Sequence, residues 1–396
     1  MTCMTKPQTA SRVAAYDIVR CAALLLVLLG HTSYQTIATP YGGIDIAAVR
    51  AAAGLADTAI HQAMEAVVSG IYTFHMRLFF ALSGAVFYLR LRQGAYTAPR
   101  RAARTFLGQK ARRLLVPFLV TALFYAIPLK AAAGCWAASA HPLRDILLGQ
   151  FLLLGNSHLW FLAMLFGAFC LVGGPIVASP RLRRAILAPR PLRADIAAAA
   201  LLLALLLACG TITHLAANRL HTIGGGATDL LPALDNYAAL GWGTLWLAAG
   251  MLLERLRERL PAPRPAHLAA AALLCAALFL PLDAYQQATP LAPGKLPVAA
   301  AELRALALAC LGVAAVWCLA AALARTPLAS ARAPRTLSRD SLGIYLFSDP
   351  LNYPLLASAA LADPAVLIPA RFAVTFLGGW AVTLVIRRLP RALQFL

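Results

Sequence analysis

Long apolar stretches separated by short arginine-rich segments follow one another along this chain. A helix that crosses the hydrocarbon core of a bilayer needs about 20 predominantly apolar residues. The pattern therefore predicts an all-α fold, a polytopic membrane bundle of about ten helices that forms a single domain over residues 1–396. The predicted spans are roughly 17–38, 70–91, 114–134, 158–178, 194–213, 236–253, 267–283, 301–324, 340–359 and 365–386.

Basic residues are distributed unevenly between the two sets of predicted loops. If the N-terminus is cytoplasmic, the cytoplasmic segments hold 26 Lys and Arg residues, and the outer loops hold only Arg50, Arg144, Arg219 and Lys295. Cytoplasmic loops of membrane proteins carry an excess of Lys and Arg. The distribution predicts that both termini are cytoplasmic. We also expect the protein to lie in the inner (cytoplasmic) membrane.

The composition agrees with a membrane protein. Hydrophobic residues make up 61% of the chain and charged residues 13%, against about 45–50% and about 25% in soluble domains. The net charge of +20 lies in the loops, where it sets topology, so we expect no nucleic-acid partner. The 8 cysteines form no C-x-x-C pair, and no His or carboxylate pair shows metal-ligand spacing, so we expect no metal site.

Two ionisable residues, Arg20 and His31, lie eleven positions apart in the first predicted span. At about 100° per residue, eleven positions return to within roughly 20° of the starting direction and advance about 16 Å. An ionisable residue in a span is costly and usually faces a polar interior. This geometry suits transfer across the membrane, with an anionic donor at Arg20 and proton abstraction by His31. The alternatives are an interfacial anchor at Arg20 and a structural hydrogen bond at His31.

The ninth predicted span carries a carboxylate, Asp349, beside Pro350, which should kink the helix. An isolated carboxylate there should be paired or protonated. We predict that Asp349 orients or charge-balances His31 or a neighbouring arginine; a purely structural ion pair is the alternative. A polar stripe at helical spacing flanks it, formed by Ser341, Tyr345, Ser348 and Asn352.

Other polar residues lie near the predicted outer helix ends. His75 and Arg77 are about 200° apart around their helix, so both cannot face one site. Arg77 is suited to hold a carboxylate or a sugar-linked phosphate, although an interfacial anchor explains it equally. The predicted acceptor or channel residues are His75, Arg77, His158, Trp160, Tyr345, Ser348 and Arg371, with Glu302 as a further candidate.

Five segments resemble, in order, the motifs of the membrane acyltransferase 3 family. The first contains an arginine, ten residues and a histidine. The segments are YDIVRCAALLLVLLGHTS (16–33), FHMRLFFALSGAVF (74–87), KARRLLVP (110–117), SHLWFLAMLF (157–166) and SLGIYLFSDPLN (341–352).

The resemblance implies a catalytic His31 and a donor site that includes Arg20. The donor would be cytoplasmic acyl-coenzyme A, often acetyl-coenzyme A, and the acceptor a hydroxyl of a sugar or glycan at the outer face. No bound cofactor is expected. The family often has a histidine where Ser348 stands here, and Asp349 is the candidate replacement.

The third segment departs from the family in one place. Lys110 stands where the family often has an arginine, and a lysine binds phosphate without the bidentate fork. The predicted donor-binding residues are Arg20, Lys110, Arg112 and Arg113. Two alternatives remain from the sequence: a transporter or flippase of a lipid-linked or small carbohydrate, and a succinyl- or longer-chain acyltransferase of the same fold.

Overall fold

The computed structural model describes residues 14–32, 41–55, 59–96, 99–154, 157–225, 230–261, 263–289 and 295–389. These residues form helices joined by short turns, so the predicted all-α class is confirmed. The first nine helices are α1 Ala14–Thr32, α2 Ile46–Ala52, α3 Ala59–Tyr72, α4 His75–Arg92, α5 Pro99–Thr121, α6 Ile127–Ala132, α7 Pro142–Phe151, α8 Trp160–Ala168 and α9 Gly174–Ala178. The others are α10 Pro180–Leu187, α11 Leu192–Ile223, α12 Leu231–Arg259, α13 Pro265–Ala288, α14 Lys295–Leu323, α15 Arg332–Ser348, α16 Asn352–Ser358 and α17 Pro364–Arg388.

Each predicted span overlaps a helix or a run of consecutive helices. Among the described residues, 8 helical segments are long and apolar enough to cross a membrane. Helix α12 overlaps the sixth predicted span, and α15 with α16 overlaps the ninth. The count of ten spans, the orientation of the termini and the single domain stay predictions. Residues 33–38 of the first predicted span lie outside the described residues.

Helix α1 lies inside the bundle, where it packs against α4, α14, α15 and α17. Its apolar side chains facing these helices, such as Val19 and Leu24, are fully buried. A helix surrounded in this way holds its polar side chains in the protein interior, where they need protein partners because lipid offers none.

Helices α4 and α12 approach closely through small residues. A Cβ atom at Gly84 would collide with the backbone carbonyl of Leu247, and one at Gly250 would collide with that of Ala81. Small residues permit such backbone contact between membrane helices. These close contacts hold α4, the helix that begins with His75, against α12.

Helix α15 ends at Ser348, and a 3₁₀ turn, Asp349–Leu351, leads into α16. Pro350 lacks an N–H group and cannot continue the α-helical ladder, which explains the break. The interruption predicted from Pro350 therefore exists, and Asp349 stands at its first position.

Candidate active site

His31 lies in the last turn of α1, and its ring faces Asp349. The distance from His31 Nδ1 to Asp349 Oδ1 is 3.3 Å, and the two side chains are 11% and 4% exposed. A carboxylate at Nδ1 orients an imidazole and favours the tautomer whose basic nitrogen is Nε2. The predicted proximity of Asp349 to His31 is present, while the catalytic role of each residue stays a prediction.

A second imidazole, that of His158, faces the same carboxylate. His158 Nδ1 is 3.3 Å from Asp349 Oδ2, and the ring centroids of His158 and His31 are 5.6 Å apart. His158 lies in the turn before α8, where its backbone carbonyl accepts a hydrogen bond from the Tyr345 hydroxyl. Its Nε2 atom is buried and has no hydrogen-bond partner within the described part of the chain. One carboxylate therefore lies between two histidines from different segments of the chain.

Ser348 faces its own helix rather than His31. Its hydroxyl donates to the Tyr345 carbonyl over 3.3 Å. The histidine that faces Asp349 besides His31 is His158, which comes from a different segment of the chain.

Arg371 links Asn352 to the backbone of His31. Its Nε donates to Asn352 Oδ1 at 3.1 Å, and its Nη2 donates to the His31 carbonyl at 3.1 Å. Asn352 in turn donates to Asp349 Oδ1 at 3.3 Å. Arg371 and the buried Lys130 both interact electrostatically with Asp349. Two basic side chains stabilise a buried carboxylate that would otherwise be costly in its ionised form.

Tyr72 packs against His31 and also contacts His75. The ring centroid of Tyr72 is 6.3 Å from that of His31 and 4.7 Å from that of His75. A Cβ atom at Gly30 would lie only 2.8 Å from Tyr72 Cε2, so glycine allows the tyrosine ring to pack against α1. His75 Nδ1 is 2.9 Å from the Ile71 carbonyl, which fixes its ring.

Arg77 points elsewhere, as its angular separation from His75 predicts. It donates to the Thr73 carbonyl, and its guanidinium carbon is 5.3 Å from the centroid of the Trp242 ring. Trp160 lies next to Trp242, with ring centroids 6.4 Å apart. Arg77 and Trp160 therefore belong to a neighbouring group on α4, α8 and α12.

A cap formed by two loop segments lies near Tyr353 of α16. The Trp136 indole donates to the Tyr41 carbonyl at 2.8 Å, and the Gly43 amide donates to the Cys135 carbonyl at 2.9 Å. Cys135 and Trp136 pack on Tyr353. Burial raises the pKa of Cys135 to about 11. Because only a thiolate is a strong nucleophile, Cys135 is not suited to carry an acyl group at neutral pH.

At the other end of the α1 face, Arg20 contacts Ser338 of α15. Arg20 Nη1 donates to Ser338 Oγ at 2.8 Å, and Ser338 Oγ donates to Asp17 Oδ1 at 2.6 Å. Ser338 and Asp349 are eleven residues apart, the same spacing as Arg20 and His31. Arg20 and His31 therefore face the same stretch of chain, as predicted. The Arg20 side chain is 33% exposed, far more than that of His31.

The other three predicted donor residues lie on α5. The Lys110 ammonium is 3.6 Å from the centroid of the Phe169 ring and 5.6 Å from that of Phe106, whereas Arg112 and Arg113 are exposed. Lys110 thus contacts aromatic rings and Arg20 contacts α15. The donor-binding role of these four residues stays a prediction.

Three neighbours of Asp349 and His31 received no role from the sequence. The sequence predicts Asn352 only as part of the polar stripe, whereas in the structure it lies between Asp349 and Arg371. Lys130 could have been identified as a site residue from the sequence, because it is a lone basic residue in an apolar span. Tyr72 could not, since an aromatic residue near a helix end is common in membrane proteins.

Comparison with known proteins supports one family. The acyltransferase 3 family, described as an acyltransferase domain, matches residues 13–385. No curated protein and no solved structure matches the chain. The match includes α1 with Arg20 and His31, α8 with Trp160, and the turn that bears Asp349. Because it spans nearly all of the sequence, the chain belongs to the acyltransferase 3 family.

Proposed function

We propose that this membrane acyltransferase transfers an acyl group, acetyl in the simplest case, from cytoplasmic acyl-coenzyme A to a sugar or glycan hydroxyl. The acceptor is bound at the outer face of the inner membrane. The observation that carries the proposal is the buried pair of His31 and Asp349 at one end of a helix face whose other end presents Arg20. Membership of the acyltransferase family favours this hypothesis over a transporter or flippase.

Arg20 is the proposed docking point for the donor. Asp17 and Ser338 hold its guanidinium, and its partial exposure leaves it accessible to an anionic group. A guanidinium binds phosphate oxygens through charge-assisted hydrogen bonds, so the coenzyme A phosphates suit this position. Lys110, Arg112 and Arg113 extend the proposed phosphate site along α5. From Arg20 the thioester reaches about 16 Å along α1 to His31.

His31 is the proposed base. Its Nε2 takes the proton from the acceptor hydroxyl, and the hydroxyl oxygen attacks the thioester carbonyl carbon. The carbon–sulfur bond breaks, and the coenzyme A thiolate takes the proton back from the imidazolium. The Asp349 carboxylate stabilises the imidazolium while it exists.

A two-step route uses the same groups. His31 Nε2 attacks the thioester carbonyl carbon, the carbon–sulfur bond breaks, and coenzyme A leaves as its thiolate. The acceptor hydroxyl oxygen then attacks the acyl carbon, the bond to the imidazole breaks, and the hydroxyl proton passes to solvent, which also protonates the thiolate. A burst of coenzyme A from acetyl-coenzyme A without acceptor identifies the two-step route, whereas acceptor-dependent release identifies the direct route.

Removal of His31 tests the proposal. Purified full-length protein receives labelled acetyl-coenzyme A and methyl α-D-glucopyranoside. The His31→Ala variant should lose transfer by about 10³-fold, the size of a general-base contribution. The control is His267→Ala, at an exposed position near the start of α13, and it should retain wild-type activity. Equal thermal unfolding temperatures of the two variants would show that a loss of transfer in His31→Ala does not come from unfolding. Transfer by His31→Ala at the wild-type rate would refute the proposal.

A further inference from the structure

A histidine–carboxylate pair that links two helices lies outside the group around His31. His214 Nδ1 is 3.0 Å from Glu302 Oε1, between α11 and α14, and the two side chains are 22% and 23% exposed. One turn before His214, a Cβ atom at Gly210 would collide with the Glu302 carboxylate. The glycine therefore makes the space that the carboxylate occupies between the helices.

The pair lies well inside its helices. His214 is nine residues before the end of α11 at Ile223, about 13 Å along the axis. Glu302 is seven residues after the start of α14 at Lys295, about 10 Å. Ionisable residues at such depth are costly and mark a substrate or ion site more often than an anchor.

Arg77 and two tryptophans extend the pair into one group. Arg77 interacts electrostatically with Glu302, and its guanidinium lies over the Trp242 ring. Trp160 packs edge-on against Trp242. All of these side chains are partly exposed, in contrast to the buried side chains around Asp349.

This combination of groups suits a pyranose ring. The C–H face of a sugar packs on an aromatic face, its hydroxyls donate to a carboxylate, and they accept from a guanidinium or an imidazole. We infer that His214, Glu302, Arg77, Trp242 and Trp160 form the subsite that binds the sugar ring of the acceptor. The inference rests on the proposed function, which requires a sugar hydroxyl near His31.

The connection to the reacting groups is short. Trp160 is two residues after His158 in the chain. Phe161 contacts Trp160 and Tyr345, with ring centroids 6.5 Å and 6.1 Å apart, and Tyr345 lies 4.6 Å from the His158 ring. Two aromatic rings, those of Phe161 and Tyr345, thus link Trp160 of the subsite to His158.

The test compares Glu302→Gln with Asp283→Asn in purified full-length protein. Asp283 is a buried carboxylate of α13 that accepts from Gln287 at 2.7 Å, so it provides a matched change outside the subsite. With methyl α-D-glucopyranoside as acceptor, Glu302→Gln should raise its KM about tenfold, the loss expected for one hydrogen bond to a charged group. The KM for acetyl-coenzyme A and kcat should stay within about twofold, and Asp283→Asn should leave all three unchanged.

Two results would overturn the inference: an unchanged sugar KM in Glu302→Gln, or a joint loss of kcat and donor binding that marks a structural role. Direct binding keeps this test separate from the proposed function. The glucopyranoside should change the tryptophan fluorescence of His31→Ala as it does that of wild type, and Trp242→Phe should lose most of the change. If wild-type protein binds the glucopyranoside but transfers no acyl group, the sugar site stands and the proposed chemistry is refuted. If the glucopyranoside does not change the fluorescence of wild type, the sugar site is refuted.

Discussion

Two histidine–carboxylate pairs that link separate segments of the chain, His31 with Asp349 and His214 with Glu302, differ in their surroundings. His31 and Asp349 are almost fully buried, and a second imidazole, an amide and two basic side chains surround the carboxylate. His214 and Glu302 are closer to each other, at 3.0 Å, yet about a fifth of each side chain is exposed. Distance alone therefore does not separate the two sites; burial and the number of partners do.

This difference suggests a division of labour. A carboxylate fixed by several partners holds one imidazole in a defined orientation, as proton transfer requires. A carboxylate with fewer protein partners can still accept hydrogen bonds from the hydroxyls of a ligand. The proposed chemistry thus belongs to the buried pair, and the inferred sugar recognition belongs to the open pair.

The first prediction contrasts matched changes in the two carboxylates. Asp349→Asn should lower kcat by about 10²–10³-fold, because an amide neither stabilises the imidazolium nor fixes the tautomer of His31. Glu302→Gln should leave kcat within about twofold. Steady-state acetyl transfer by both purified variants checks the contrast. Equal kcat values for the two variants would remove the proposed division of labour.

The second prediction concerns His158, the second imidazole that faces Asp349 of the buried pair. His158→Ala should lower kcat by roughly 10–100-fold, the usual cost of removing a group that orients a reacting residue. The sugar KM should not change, since the inferred subsite keeps its members. His158→Asn should recover part of the rate if Nδ1 acts only as a donor to Asp349. A sugar KM that rises while kcat is retained would instead assign His158 to the acceptor.

The third prediction concerns the far end of the His31 helix. Arg20→Ala should raise the KM for acetyl-coenzyme A by roughly tenfold, because it removes a charge-assisted hydrogen bond to phosphate. Arg264→Ala removes an exposed arginine just before α13 and should have no effect. The sugar KM should be unchanged in both variants. A higher sugar KM in Arg20→Ala would assign Arg20 to the acceptor site and contradict its proposed role in donor binding.

The smallest effect is expected at Cys135. Its pKa of about 11 means that the thiolate forms only as the pH approaches 11, so at pH 8 the reactive fraction is far below that of an ordinary thiol. Iodoacetamide should therefore label Cys135 about 100-fold more slowly than glutathione, as peptide mapping by mass spectrometry can measure. Cys135→Ser should keep full activity. Loss of transfer in that variant would indicate a cysteine acyl carrier and displace His31.

Much of the fold could be predicted from sequence because a bilayer constrains length and hydrophobicity together. Every predicted span overlaps helical chain, and the break at Pro350 follows from proline chemistry. The common face of Arg20 and His31 follows from helical periodicity. The sequence did not show that Ser338, eleven residues before Asp349, contacts Arg20.

The contacts of Asp349 were only partly predictable. A carboxylate beside a proline in an apolar span needs a partner, and His31 was a predictable one. His158, nearly 200 residues away in the chain, was not predictable, because periodicity within one helix does not report which helices are neighbours. Arg371 was predicted for the acceptor or channel; it contacts Asn352 and the His31 backbone, while its role stays a prediction.

Chemical rescue of His31→Ala tests the central claim most directly. Single-turnover transfer of labelled acetyl from acetyl-coenzyme A to methyl α-D-glucopyranoside is followed with and without added imidazole. We expect His31→Ala to react about 10³-fold more slowly than wild type and to recover measurably with imidazole. His267→Ala should react at the wild-type rate in both conditions. A wild-type rate in His31→Ala without imidazole would contradict the assignment of proton transfer to His31.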